Sequence, residues 1–246
     1  MLRLPLALLL LALVPRADAV ELRQASWVEG TSTYRFGYQS TPSIPVRGAP
    51  ADTDWARWAM LHDGLDYRLY AFRRDSDTEL YQFAYDTAEQ AYVWGYQSIP
   101  TITVTGAPPT ADTTRFAMLH DGSSFRLLLG DTEDPAVLHQ FGFDFSSASY
   151  VLGDGVPPRV PLVGFPAGTS GLAALHDGTD YRVYQFAPGT DEVLLQGAFD
   201  PRTDSVAWGQ RSTPRMFLEG LPRDVASRGA AMLHDGARYR LYLLVP

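Results

Sequence analysis

The sequence predicts an all-β protein: a single four-bladed β-propeller of about 57 residues per blade, closed by N-terminal strands that pair with C-terminal strands. Three observations predict this fold: a tetrapeptide that recurs four times, short apolar segments between turn residues, and complementary half-repeats at the two ends. Of the 246 residues, 46% are hydrophobic, which is enough to bury a sizeable core. The 21 glycines and 18 prolines favour many short strands over long helices.

The tetrapeptide Leu-His-Asp-Gly occurs four times, and a fixed period of this size is typical of propellers, solenoids and arrays. Its histidines, spaced 58, 56 and 58 residues apart, are His62, His120, His176 and His234. Its aspartates are Asp63, Asp121, Asp177 and Asp235. An arginine after an aromatic residue keeps the same period at Arg68, Arg126, Arg182 and Arg240. A glutamine does so at Gln24, Gln82, Gln140 and Gln196.

One repeat is predicted to form four short strands. Residues 58–62 are apolar and end at an Asp-Gly pair, which is a strong hairpin signal. Residues 67–72, 79–85 and 92–97 form the second, third and fourth strands, with turn residues between them. A proline-rich stretch at 98–112 is predicted to link this repeat to the next one.

The two ends of the chain hold complementary halves of one repeat. Residues 21–42 align without gaps on residues 79–100, so the chain after residue 20 begins at a third strand. It ends at residues 239–245, which correspond to a second strand. A ring explains these halves better than an open array, because an open array needs capping repeats. We therefore expect residues 21–39 to lie in the same blade as residues 229–245.

Residues 1–19 are predicted to be a signal peptide, and residues 20–246 a single domain. Arg3 supplies a positive start, residues 4–14 are an apolar run, and Ala17-Asp18-Ala19 is a typical cleavage site. We expect a secreted or periplasmic protein without a membrane span, since no later segment is long and apolar enough. A net charge of −8 disfavours nucleic-acid binding, and the absence of cysteine excludes disulfides and thiol catalysis.

The repeat resembles the hemopexin-like repeat. The residues that carry the resemblance are 116–122, 125–127, Phe143-Asp144 and 164–166, in the order of that family's inner strand, second strand, third strand and Gly-x-Pro link. The chain lacks the family's disulfide, and it is permuted. The resemblance implies a four-bladed propeller and a non-catalytic binding module, with partners that include proteins, heme, polyamines and ions near a central channel.

The His-Asp-Gly segment, which recurs at the same position in all four repeats, is the first candidate site. Asp and Gly suit a hairpin turn, whereas a hairpin does not require imidazole. On innermost strands the four histidines would surround the mouth of a channel, where neutral imidazoles could bind a metal ion or heme iron. The alternative is a structural role, with each imidazole bonded to a neighbouring backbone group. Either role is compatible with the sequence.

The repeated arginines and the aromatic residues also allow two interpretations each. The arginines pair with aspartate and stack on rings to hold blade to blade, or they form an anion or sugar-acid site. The glutamines are predicted to bond backbone groups between blades. Five aromatic residues serve either as sugar-stacking platforms or as inter-blade core: Trp55, Trp58, Trp94, Trp208 and Tyr96.

Three classes of function remain open. The first is a secreted, non-catalytic binding protein of hemopexin-like shape, with one ligand at the channel or the loop face. The second is a lectin-like glycan-binding protein with one site per blade. The third, a hydrolase of unrecognised type, is disfavoured because the sequence has no Gly-x-Ser-x-Gly turn and no phosphate-binding loop. We expect a monomer that is not an enzyme and whose partner is a small ligand, a glycan or a protein.

Overall fold

The computed structural model describes residues 20–221 and 229–245. The protein is all-β, with 58% of its residues in strands, and the described residues contain no helix. The all-β class predicted from the sequence is therefore confirmed. The predicted signal peptide, residues 1–19, lies outside the described residues.

Twenty strands form four repeated units of five strands each. The N-terminal strands, which belong to unit 4, are β1 (Glu21–Val28), β2 (Thr33–Phe36) and β3 (Ile44–Arg47). Unit 1 contains β4 (Thr53–His62), β5 (Tyr67–Arg73), β6 (Glu79–Asp86), β7 (Ala91–Trp94) and β8 (Thr101–Thr105). Unit 2 contains β9 (Ala111–His120), β10 (Phe125–Asp131), β11 (Val137–Asp144), β12 (Ser149–Leu152) and β13 (Arg159–Val163). Unit 3 contains β14 (Ser170–His176), β15 (Tyr181–Phe186), β16 (Val193–Asp200), β17 (Ser205–Trp208) and β18 (Arg215–Glu219). Unit 4 is completed by β19 (Ala230–His234) and β20 (Tyr239–Val245).

Within each unit the first three strands form an antiparallel meander, and two short strands share the outer edge of the third. In unit 1, β4 pairs with β5 and β5 with β6, while β7 and β8 pair with opposite halves of β6. The fifth strand corrects the prediction that 98–112 is only a link. Ile102 and Val104 are buried while Thr101, Thr103 and Thr105 are exposed, and this alternation of β-branched residues suits a strand.

Neighbouring units are hydrogen-bonded to each other at their outer edges. The contacts are parallel pairs: β3 with β7, β8 with β12, β13 with β17, and β18 with β2. Together with the third strands they close a ring of 12 strands. Inside this ring the first strands of the units pack side by side in the order β4, β9, β14, β19 and back to β4.

The two ends of the chain meet in unit 4, as the half-repeats predict. Strand β1 pairs antiparallel with β20 from Glu21 opposite Val245 to Ser26 opposite Arg240, and β20 pairs in turn with β19. On its other edge β1 pairs with β2. The pairings β1–β2, β1–β20 and β19–β20 confirm the expectation that residues 21–39 share a sheet with the C-terminal strands.

The core is divided into four apolar clusters, one at each boundary between units. At the boundary of units 1 and 2, Ala59 and Leu61 of β4 pack with Phe116 and Met118 of β9. The intervening Met60 faces the boundary with unit 4. The innermost strands are therefore buried on both faces, and each boundary is a packed interface.

Candidate functional site: four pockets between neighbouring units

The four Leu-His-Asp-Gly segments form equivalent four-residue hairpin loops. In unit 1, His62 pairs with Tyr67 at the base of the loop, and the Asp63 amide donates to the Asp66 carbonyl at 3.2 Å. Gly64 has a φ of 94°, in a region that favours glycine. The same amide-to-carbonyl bond closes the other three loops. The predicted hairpin is confirmed.

The aspartate of each loop is held by the loop amides and by the repeated arginine. The Oδ1 of Asp63 accepts hydrogen bonds from the amides of Leu65 and Asp66 at 3.0 and 2.7 Å, and its Oδ2 accepts from Arg68 Nε at 2.9 Å. Partial burial raises the pKa of these carboxyls, but the hydrogen bonds outweigh burial and hold the pKa of Asp121 and Asp177 at about 2. These aspartates are ionised structural acceptors.

The repeated arginines stabilise single units, which corrects the prediction that they hold blade to blade. Arg182 pairs with Asp177 and Asp180 of its own unit, and its Nη1 donates to the Arg211 carbonyl at 3.2 Å. Arg240 likewise reaches the carbonyl of Gln39 in unit 4. The predicted pairing with aspartate is confirmed for all four arginines. Within the described residues, the cation–π contacts involve Arg35 and Arg57.

The histidines have structural partners in the hairpins. The imidazoles of His62, His120 and His234 lie 4.5–4.8 Å from the aromatic ring that opens the next strand. The Nδ1 atoms of His120 and His176 accept the amide hydrogen of the glycine two residues later, at 3.3 Å. The described residues, which include all four of these histidines, contain no group of three His, Asp or Glu side chains suited to a metal ion.

A pocket lies at each of the four boundaries, and its walls come from two units. One unit contributes its repeated arginine and glutamine, and the next contributes two aromatic side chains. Each pocket is named by the two units that form it, so the 1/2 pocket lies between units 1 and 2. The 1/2 pocket, of about 350 Å³, contains Arg68, Gln82, Phe125 and Phe143. The 2/3 pocket, of about 410 Å³, contains Arg126, Gln140, Tyr181 and Phe199. The 3/4 pocket, of about 390 Å³, contains Arg182, Gln196, Trp27 and Tyr239. The 4/1 pocket, of about 330 Å³, contains Arg240, Gln24, Tyr67 and Tyr85.

Three of the pockets also have a pair of buried tyrosines, one from each unit. In the pocket between units 1 and 2, Tyr70 and Tyr150 both line the wall, and Gln82 Nε2 lies 3.0 Å from the Tyr70 hydroxyl. The corresponding pairs are Tyr184 with Tyr34 and Tyr242 with Tyr92. Burial raises the pKa of these phenols, so they remain neutral donors and acceptors.

The structure brings only part of the predicted site residues into these pockets. All four repeated arginines line a pocket, as do Asp121, Asp235 and His176. The tryptophan candidates do not: Trp58 is buried in the core, and Trp94 and Trp208 donate to proline carbonyls. The residues missed are the third-strand aromatics Trp27, Tyr85, Phe143 and Phe199. These four aromatic residues keep the spacing of the repeat, which could have identified them. They are of three different residue types, so the repeat is harder to recognise at this position.

The fifth histidine, which lies outside the repeated tetrapeptide, forms a buried hydrogen bond with an aspartate away from the pockets. His139 Nε2 lies 2.8 Å from Asp131 Oδ2, and both side chains are 6% exposed. Asp131 also accepts hydrogen bonds from the amides of Asp134 and Glu133, which hold its pKa well below the usual range despite burial. This pair fastens the outer loop of unit 2, and nothing in the repeat pattern indicates it.

Comparisons with known proteins give no family. No family model matches the chain, and no curated protein matches it. Among solved structures, the crystal structure of AofleA from Arthrobotrys oligospora is similar at a TM-score of 0.35 and 10% sequence identity. The match covers 76% of this chain and 49% of that chain, so it spans about half the length of AofleA. Over residues 20–221 and 229–245, no helix has the length and apolar character needed to cross a membrane.

Proposed function

We propose that the protein is a secreted, non-catalytic, lectin-like glycan-binding protein with one site at each boundary of a four-bladed propeller. The observation that carries the proposal is the fourfold repetition of one pocket composition: arginine and glutamine from one unit, and two aromatic rings from the next. A catalytic site requires one asymmetric constellation of groups. Four similar pockets instead suit repeated recognition of a repeated ligand.

The chemistry of each pocket suits a sugar. A pyranose ring has an apolar face, which aromatic side chains cover, and hydroxyl groups, which both donate and accept hydrogen bonds. The 4/1 pocket has Tyr67 and Tyr85 for the first task, and Gln24, Ser40 and Arg240 for the second. Volumes of about 330–410 Å³ are in the range of small-ligand sites.

The boundary pockets support this reading better than a single ligand at a central channel. The innermost strands leave little surface for a ligand, because Met60, Met118 and Met232 are at most 1% exposed. The imidazoles of His62, His120 and His234 pack on the aromatic rings of their own hairpins. Within the described residues, no group of three His, Asp or Glu side chains is arranged to hold a metal ion at such a channel.

A glycan array with the purified protein, followed by calorimetric titration of the strongest ligand, tests the proposal. We expect binding of several ligands per chain, each weak and together strong on a multivalent surface. The variant Tyr85→Ala removes one wall of the 4/1 pocket. It should lower the stoichiometry by one site and leave the remaining sites unchanged.

The matched control is Phe217→Ala, which removes a half-exposed aromatic ring of β18 outside the pockets. It should leave both stoichiometry and affinity unchanged. A protein that binds no glycan on the array, or whose glycan binding is insensitive to Tyr85→Ala, would exclude the boundary pockets as glycan sites.

A further inference from the structure

The 2/3 pocket differs from the other three because both members of its tyrosine pair are missing. At the position of Tyr70 in unit 1, unit 2 has Leu128. At the position of Tyr150 in unit 2, unit 3 has Val206. Both aliphatic side chains are fully buried in the apolar cluster of this boundary. The two replacements therefore remove both hydroxyl groups from one boundary and from no other.

The loss leaves the glutamine of unit 2 without its usual partner. Gln24 donates to Tyr242, and Gln82 lies within hydrogen-bonding distance of Tyr70. Gln140 is 3% exposed, and its Nε2 lies 3.4 Å from the carbonyl of Pro157. Its Oε1 is buried and has no hydrogen-bond partner among the described residues, although the side chain lines the 2/3 pocket.

The arginine of unit 2 is also bound differently. In units 1, 3 and 4 this arginine reaches the carbonyl of a turn residue beyond the fourth strand. In unit 2 the turn contains Gly155, and Arg126 bonds only to Asp121 within the part of the chain described. It therefore gives no hydrogen bond to Gln140.

A second unpaired polar group lies on the opposite wall. The ring of Tyr181 stacks on Phe199 at 5.3 Å and an interplanar angle of 18°, whereas Phe125 meets Phe143 at 68°. The Tyr181 hydroxyl is buried without a partner in the described structure, and burial raises its pKa, so it remains a protonated donor. An unpaired buried polar group destabilises a fold, so a ligand or water that bonds it is favoured.

We infer that the 2/3 pocket is a distinct, tighter site that takes a neutral sugar, with one ligand hydroxyl bonded between Tyr181 and Gln140. The hydroxyl accepts a hydrogen bond from Tyr181 and donates one to Gln140 Oε1, which satisfies both unpaired groups at once. This inference rests on the proposed function, since it names the ligand chemistry of one of the four sites.

The charges of the pocket favour a neutral ligand over an acidic one. Its walls contain the carboxylates of Asp121, Asp180 and Asp204 and the guanidinium groups of Arg126 and Arg211. Arg126 is paired with Asp121, and Arg211 lies 3.5 Å from Asp180. The third carboxylate remains in excess, so a uronic acid is repelled where a neutral hexose is not.

Calorimetric titration with methyl glycosides of neutral hexoses and 6-deoxyhexoses, and with methyl glucuronide, tests the inference. We expect one strong site per chain above the weaker ones, and a preference for the neutral glycosides. Tyr181→Phe removes only the hydroxyl, and the phenyl ring fits because Phe125 occupies this position in unit 2. It should weaken the strong site about 10-fold without lowering Tm, since one ligand hydrogen bond is lost.

Tyr67→Phe is the matched control, because Tyr67 occupies the same position at the 4/1 pocket. It should leave the strong site unchanged, whereas Gln140→Leu should weaken that site as Tyr181→Phe does. Four sites of equal affinity, or a strong site indifferent to both Tyr181→Phe and Gln140→Leu, would overturn this inference alone and leave the proposed function standing. Failure of every glycoside and every array glycan to bind would overturn both.

Discussion

The side-chain amide of Gln24 donates a hydrogen bond of 2.5 Å to the hydroxyl of Tyr242, joining residues 218 positions apart in the sequence. Both side chains lie in unit 4, where β1 from one end of the chain pairs with β20 from the other. Arg240 adds a bond to the carbonyl of Gln39 across the same seam. The seam therefore has the internal contacts of a continuous unit.

The closure predicts that the seam is as stable as the other units. Leu22, Leu80, Leu138 and Leu194 occupy equivalent positions and are at most 1% exposed. Leu22→Ala and Leu138→Ala should each lower the free energy of unfolding by about 3 kcal/mol, because each leaves a cavity in a boundary cluster. Equilibrium denaturation in urea measures both values, and each variant should unfold in a single transition.

Leu65→Ala is the control for these two variants, because Leu65 is 89% exposed at a hairpin tip. It should change stability by less than about 0.5 kcal/mol. A cost for Leu22→Ala well below that of Leu138→Ala would show that the N-terminal strands are loosely attached and that the ring opens at the seam.

The arginines around Asp180 should differ strongly in their effect on stability. Arg182 has 14% of its side chain exposed and bonds Asp177, Asp180 and a turn carbonyl, whereas Arg211 has 53% exposed. Arg182→Met should lower the free energy of unfolding by about 2 kcal/mol, because it leaves a buried carboxylate unpaired. Arg211→Met should cost less than about 1 kcal/mol, as exposed ion pairs do. Equal losses in thermal unfolding would contradict the structural role of the repeated arginine.

Acid should destabilise the protein below about pH 4. The pKa values of Asp121 and Asp177 are held at about 2 in the folded protein and rise to about 4 on unfolding. The unfolded chain therefore takes up protons first, so the stabilisation present above pH 4 declines as the pH falls from about 4 to 2. Urea denaturation at pH 6, 4 and 3 should show this loss.

The variant Asp131→Asn identifies one contributor to the acid response. In the wild type, hydrogen bonds from loop amides hold the pKa of the Asp131 carboxyl well below its usual range. The variant should be less stable than the wild type at pH 6, and should lose less stability on acidification. Glu133→Gln, at an exposed position beside it, should follow the wild-type profile. A parallel profile for Asp131→Asn would contradict the assignment.

The histidine column should behave as part of the hairpins. His120 packs on Phe125 and accepts the amide hydrogen of Gly122. His120→Ala should lower the free energy of unfolding by about 1 kcal/mol, within the range of a lost contact and hydrogen bond. Addition of EDTA should leave the Tm of the wild type and of the variant unchanged. A Tm that falls with EDTA in the wild type alone would restore the metal hypothesis.

Much of the fold follows from the repeat alone. The spacing of the Leu-His-Asp-Gly tetrapeptides defines the hairpins and the first two strands, because a loop with glycine at positive φ allows few alternatives. The gapless match of 21–42 with 79–100 predicted the pairing of β1 with β20. The strand at Thr101–Thr105 escaped prediction because its prolines suggested a link, although they flank the paired residues instead of interrupting them.

The sequence by itself determined the four units, their hairpins and the joining of the two ends, since these depend on local turn chemistry and on periodicity. Only the tertiary structure decided which residues share a pocket, because each pocket combines Arg and Gln of one unit with rings of the next, as Arg68 with Phe143. It also decided that Arg68 bonds Asp63 within its own hairpin. Such contacts depend on how neighbouring sheets pack, a property that spacing along one chain does not contain.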